Sequence, residues 1–483
     1  MFLAQQTINL KGRHISLSSP YKILFIKPRV NAPVSLLDIP LGILSLSAYV
    51  KKYASFPVQT HCLDLRLFSK KKRFKQTIES IQPDVIGISM MDCEKDFLSE
   101  YASVLNSCAQ TIHLVVGGPY PSIHYETILK HTCISYVIVG EGEKSFLELL
   151  HCLVYGLSPD GIKGLAWCSN NGLPVYNGQS IYIENLDDIP IPDYDLIDLN
   201  QYQGFHPNMN GVLAENRYIQ IMSSRACPYQ CTFCHNMFGK KVRQRSVTHF
   251  INEIKILHYQ YHIKEFHIID DYFNYNRKRM HAILDEIIHS DLNIRIAFPN
   301  ALKGDQLCRY DMVRLKQAGT YMINFAIETG SKRIQKKIKK QVNIDKILHN
   351  ISTARQMGII TRGYFMLGFP TETRSEIQTT IHLACQSDLS MVSFFTVIPF
   401  EGTPLYKWAC SEYPQMKSCQ DSSFWAHGTN YSQATGLRLS RIKKMATIKF
   451  YSFRRLIWLV RHTPRKFYYV LRFVHSAISI LSS

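Results

Sequence analysis

From Tyr21 onward the chain alternates short apolar runs with longer amphipathic stretches. Residues 22–26, 58–63, 84–89, 113–117 and 136–139 have the length and apolar, β-branched content of buried strands. Residues 41–53, 96–110 and 143–154 carry the wider apolar spacing of helices. Strand and helix in alternation predict a parallel, doubly wound sheet, which takes ligands beyond the carboxyl ends of its strands. The rhythm breaks between 158 and 216, where Leu186 to Asp195 holds two prolines and several aspartates, the composition of a linker. A second series follows, with strands predicted at 218–222, 265–269, 294–298, 322–327, 363–367 and 391–396. Helices are predicted between them at 247–261, 277–290, 305–318 and 345–357. Six such units suit a full or partial (β/α)6 TIM barrel, whose catalytic loops leave the strand carboxyl ends.

Composition changes this picture little, and charge changes it more. At 483 residues, with 46% hydrophobic and 19% charged positions, two or three globular domains are expected. The 56 Lys and Arg outnumber 37 Asp and Glu, giving +19, a balance that attracts nucleic acid, anionic lipid or phosphorylated substrates. Residues 1–20 lack the apolar core of a secretory signal, and no run approaches the roughly 20 apolar residues of a membrane span. A cytoplasmic chain is therefore expected, and its thirteen cysteines read as buried thiols or metal ligands more than as disulfides.

Three of those cysteines are clustered. Cys227-Pro-Tyr-Gln-Cys231-Thr-Phe-Cys234 directly follows the first strand of the second series. One loop with this spacing can wrap three thiolates around a single soft metal group, either an iron–sulfur cluster or zinc. A structural zinc wants four protein ligands, and His235 is awkwardly placed to be the fourth. Three ligands on a cluster leave one iron open, which substrate-binding chemistry needs.

Here the sequence resembles the radical S-adenosylmethionine (SAM) enzymes, whose hallmark is this spacing with an aromatic residue, Phe233, before the last cysteine. Asp270-Asp-Tyr-Phe-Asn274 resembles the family's acidic turn, and Ala326-Ile-Glu-Thr-Gly-Ser331 its nucleoside-contacting segment. Met366-Leu-Gly-Phe-Pro-Thr-Glu372 and Pro399-Phe-Glu-Gly-Thr-Pro-Leu-Tyr406 are similar to later strand-end motifs. The resemblance implies a 4Fe–4S cluster on Cys227, Cys231 and Cys234, and SAM near Phe233, Glu328, Gly330 and Gly368. Arg243 and Arg245 suit either a carboxylate or phosphate or plain surface charge, and stay unassigned.

The first series has its own strand-end loops: Ser89-Met-Met-Asp92, Gly117-Gly-Pro-Tyr-Pro-Ser122 and Gly140-Glu-Gly-Glu143. Glycines there let a bulky ligand approach the backbone. With Pro40-Leu-Gly-Ile-Leu44 these loops resemble the cobalamin-binding domain that precedes the radical domain in one large subfamily. The resemblance implies cobalamin near Ser89, Gly117, Gly118, Gly140, Glu141 and Gly142. The Asp-x-His-x-x-Gly motif that would put a histidine on cobalt is absent.

The expected organisation is thus a cobalamin-binding, Rossmann-like domain over 20–157, a linker over 158–216, the radical SAM barrel over 217–410 and a basic, aromatic, helical tail over 411–483. From Arg438 to Arg472 that tail has eleven Lys or Arg, no Asp or Glu, and interleaved aromatics that include Phe450, Tyr451, Phe453, Trp458, Phe467, Tyr468 and Tyr469, with Phe473 just beyond. This composition suits peripheral contact at the inner membrane face or packing on the barrel, with nucleic acid well behind. The resemblance implies an enzyme that transfers a methyl group to an unactivated carbon, with oxygen-independent cyclisation, oxidation or carbon–carbon bond formation as the alternative. A zinc-containing nucleic-acid-binding protein is the distant third. Implied partners are a small-molecule or lipid-like substrate and an external electron donor of flavodoxin or ferredoxin type.

Overall fold

The computed structural model describes residues 19–29, 37–68, 71–169, 171–203, 211–235, 237–414, 430–434 and 436–466. Phe467, Tyr468, Tyr469 and Phe473 of the tail lie outside them.

The first sheet contains β1 (Tyr21–Lys27), β2 (Val58–Asp64), β3 (Val85–Ser89), β4 (His113–Gly117), β5 (Tyr136–Ile138), β6 (Leu165–Cys168) and β7 (Pro174–Tyr176). Their order is β2-β1-β3-β4-β5-β6-β7. The five strands predicted from periodicity are parallel, joined by helices that include Leu41–Tyr53 and Pro119–His131. Leu24, Ile26, Ile86, Ile88, Leu114 and Val116 face one core layer, and Ile23, Phe25, Val85 and Val115 the other. Alternation with both faces buried is what a sheet covered by helices on both sides requires.

The structure corrects the expected linker over part of its length. β6 and β7 lie inside 158–216 and extend the first sheet by two antiparallel strands. They are short and flanked by turns, so they lack the apolar run that marks a central strand. The expected helix at 96–110 is two pieces, Phe97–Glu100 and Ala102–Cys108.

The second sheet holds β8 (Tyr218–Ile221), β11 (Glu265–Ile268), β12 (Arg295–Phe298), β13 (Thr320–Glu328), β14 (Ile360–Leu367) and β15 (Met391–Thr396), all parallel and in the order β15-β14-β13-β12-β11-β8. Between its first two members runs a short antiparallel ribbon, β9 (Ser224–Arg225) with β10 (Arg243–Gln244). Ile219, Ile221, Phe266, Ile268, Ile296, Phe298, Ile323 and Phe325 build its core, which the helices Val247–Tyr261 and Arg277–Ile288 close with Phe250, Ile254, Ile283 and Leu284. Among its described residues the tail holds two helices, Leu439–Phe450 and Phe453–His462, packed on this barrel.

Candidate active site

The cysteine loop leaves the carboxyl end of the first barrel strands and is fastened from several sides. Asp270, fully buried at the end of β11, accepts from the Ser223 amide at 2.6 Å and from the Ser223 and Ser224 hydroxyls, each at 2.6 Å. Asp271 accepts from the amide of Ala226, which takes φ +79°, a strained value for a residue with a Cβ. Burial pushes both carboxyl groups up in pKa, against hydrogen bonds that favour their charge. Further along, the Thr232 amide donates to Ile338 O and the Leu405 amide donates to Thr232 O, tying the loop to two later strand-end segments.

Around the loop, Phe233 packs in a cluster with Ile334, Ile338, Phe369, Val397 and Leu405. Glu328 ends β13 at φ +69°, just past a break in register with β14. It is not a solvated carboxylate: Lys340 Nζ donates to its Oε1 at 2.7 Å. Lys340 also lies 5.5 Å over the Phe233 ring. Burial opposes the Lys340 charge, but Glu328 and Cys231 outweigh it and raise its pKa. Lys339 and Gln341 on either side have φ +52° and +51°, so the chain turns this one lysine inward. Periodicity missed it, because Gln335-Lys-Lys-Ile-Lys-Lys340 reads as a solvated basic run.

The donor set suits an iron–sulfur cluster. Cys227 and Cys231 are partly buried and Cys234 is exposed at the loop's open side. A hydrogen bond shared with Cys234, with help from the nearby Lys340 charge, lowers the Cys231 pKa, while burial raises that of Cys227. The same bond pushes Cys234 up. Among the described residues no three His, Cys, Asp or Glu side chains converge as one small ion demands.

Two predicted glycines are engaged by protein. A Cβ on Gly330 would meet Thr379 O and Thr380 Cα at 3.1 Å, and one on Gly368 would meet Leu439 of the tail at 2.5 Å. The Gly368 amide also donates to Glu372 at 2.7 Å.

Across from the barrel mouth lie the strand-end loops of the first sheet. Ser89 and Gly117 are partners on β3 and β4. Gly118 has φ +103°, and a Cβ there would strike Met90 O at 2.6 Å. Gly142 comes within 3.3 Å of Leu46 by the same measure, and Gly140, at φ +91°, within 3.2 Å of Ser180.

Glu141, expected near the cofactor, is ion-paired with the barrel. Arg243 grips it with two hydrogen bonds of 2.7 and 2.9 Å, and the Ile183 amide donates to it at 3.1 Å. Arg225, two residues before Cys227, contacts Glu141 at 3.2 Å and Glu143 at 2.6 Å. All four side chains are nearly inaccessible. Both carboxylate oxygens of Glu141 are thus committed to the barrel. A lone carboxylate between glycines resembles a ligand contact in sequence, and its distant arginines supply no local signal. Arg245 pairs with Glu253 inside the barrel. At a second contact, His124 is 3.5 Å from Glu401, and a Cβ on Gly402 would lie 3.2 Å from Ile123. The two domains therefore meet at their strand-end faces.

This architecture matches known proteins. The Radical SAM superfamily pattern covers residues 221–384 and the B12 binding domain covers residues 30–150. An uncharacterized methyltransferase of Pyrococcus horikoshii is 30% identical over 395 residues, spanning 80% of this chain and 83% of the relative. The cytidylyl-2-hydroxyethylphosphonate methyltransferase of Streptomyces wedmorensis is 26% identical over 416 residues, spanning 76% and 77%. In fold, the chain is similar to the radical SAM methyltransferase TsrM of Kitasatospora setae, solved with cobalamin and a 4Fe–4S cluster, at TM-score 0.66 and 17% identity over 81% of this chain and 76% of that one. The chain belongs to the cobalamin-binding radical SAM enzymes. Its cofactors are those of that family: a 4Fe–4S cluster, SAM and cobalamin.

Proposed function

We propose that this enzyme is a C-methyltransferase acting on an unactivated carbon of a small-molecule or lipid-like substrate. The observation that carries this reading is the meeting of the cysteine-loop side of the barrel with the first sheet's strand ends, bridged by Arg225 and Arg243. A methyl donor and a radical generator must reach one substrate atom, and reacting groups held in one water-poor space gain most from orientation. The methyltransferases among its relatives support the same reading.

In this reading Cys227, Cys231 and Cys234 hold the cluster. Phe233, Glu328, Gly330 and Gly368 shape the SAM side, while Ser89, Gly117, Gly118, Gly140 and Gly142 shape the cobalamin side. When bound, the three cofactors supply the radical that removes an unactivated hydrogen and the methyl group that replaces it. The chain's own residues set the stage. Asp270 and Asp271 fix the loop, and Lys340 supplies positive charge beside the thiols. The carboxylates of Glu141 and Glu143 fix the distance between the domains. Electrons come from an external flavodoxin or ferredoxin type donor, and the tail makes peripheral contact with the inner membrane face.

The test is anaerobic reconstitution followed by incubation with methyl-labelled SAM and an extract that contains substrate. Label in the product, with methionine and S-adenosylhomocysteine accumulating together, is expected. Deoxyadenosine beside an unlabelled, oxidised or cyclised product would replace methyl transfer with the cyclase or oxidase reading.

A further inference from the structure

The two tail helices sort their apolar residues onto opposite sides. Inward, Leu439, Ala446, Phe450 and Leu459 are at most 3% exposed. Leu459 packs with Tyr321, Met322, Ile360 and Met391, which begin or nearly begin β13, β14 and β15. Arg455 donates to the carbonyls of Cys385 and Ser387, where the helix Arg374–Gln386 ends. His462 lies against Gly358, just before β14, where an added Cβ would meet it at 3.1 Å. The second helix therefore seals the amino-terminal pole of the barrel, opposite the cysteine loop.

Outward, the same helices expose large apolar groups: Phe453 by 77%, Met445 by 60% and Ile448 by 53%, with Leu456 and Ile457 beside them. Phe453, Leu456 and Ile457 are spaced i, i+3, i+4 and share one face of their helix. Exposed arginines at 454 and 461 flank that face, and Arg441, Lys444 and Lys449 are exposed on the first helix. No acidic residue follows Asp421. An apolar ridge edged only by cations complements an interface that is apolar inside and anionic outside, and a protein partner would have to supply both features in the same geometry.

We propose that this face, centred on Phe453 and Ile457, docks the enzyme on an anionic lipid surface by the pole opposite its active site. The proposal rests on the tail's membrane contact and names the residues and orientation that make it. Docked this way, the barrel mouth and the first domain face away from the bilayer. Docking by itself then does not require a membrane-dissolved substrate.

Full-length holoenzyme is sedimented with phosphatidylcholine vesicles, with and without phosphatidylglycerol, and compared with Phe453→Ser/Ile457→Ser. Binding should require the anionic lipid and weaken with salt, because exposed charges are screened beyond about 10 Å at 0.1 M. The double variant should partition on the order of tenfold less, and Phe453→Ser alone, whose side chain is 77% exposed, should also weaken binding while keeping the parent's melting temperature. Equal binding of variant and parent would overturn this face yet leave membrane contact through another part of the tail. No binding by either protein would overturn both. A vesicle-indifferent parent whose melting temperature falls with the double substitution would mean the chain itself covers the face. Retention on RNA with no vesicle binding would assign the cations to nucleic acid. Either result overturns the proposal.

Discussion

At the barrel mouth three thiols lie within eight residues of sequence, and buried carboxylates and amides hold their loop in place. Facing it, the first sheet offers glycines, whose missing side chains are filled by Met90, Leu46 and Ser180. One side advertises its chemistry through reactive side chains. The other is built from close backbone approaches, and its one conspicuous carboxylate, Glu141, is an anchor to the barrel. Thiols at short spacing therefore indicate what binds. Glycines indicate only that something comes close, and here the something is often the protein.

The largest expected effect tests the side-chain half of this contrast. Replacing Cys227, Cys231 and Cys234 together with Ala should abolish visible absorption, the roughly four irons per chain and all deoxyadenosine formation. The fold should survive, because the loop is held by Asp270, Thr232 and Leu405. Iron retained at full stoichiometry, or stoichiometric zinc without iron in anaerobic parent protein, would remove the cluster from this loop.

Glu141→Gln separates an anchor from a ligand. It leaves Arg243 buried beside a neutral partner, and breaking such a pair costs about 3 kcal/mol. The melting temperature should fall, with trypsin cutting between the domains more readily, while the isolated affinity for cobalamin changes little. A stable variant that has lost cobalamin would return Glu141 to the cofactor. The smallest effect belongs to Gly118→Ala, where positive φ and the nearby Met90 carbonyl make any Cβ strained, at an expected cost of about 2 kcal/mol. Irons per chain should be unchanged. An unaltered melting temperature would mean the loop relaxes easily and its glycine is there for a ligand.

Most strands and several helices were legible because each buries a face with a fixed period. All eleven predicted strands overlap those observed, the largest offset being three residues at the start of β14. Less visible were elements whose burial has no period of its own. β6 and β7 are too short to show alternation and are stabilised by joining an existing edge. The helix Pro119–His131 opens with two prolines that suggested a loop, although proline is well placed in a first helical turn. In the tail, the aromatic stripe looked uniform along the chain. Packing decided that Phe450 is core and Phe453 is surface, three residues apart.

Sequence by itself determined the two sheets, their order along the chain and the cysteine loop, since periodicity and ligand spacing are properties of neighbouring residues. Tertiary structure alone decided the partners of isolated charges: Glu141 with Arg243 at a separation of 102 residues, Lys340 with Glu328, and Lys27 with Glu94 at 67. A charge carries no mark of whether it will be solvated or buried. That depends on which distant opposite charge the fold brings within 3 Å, because only such a partner offsets the cost of leaving water.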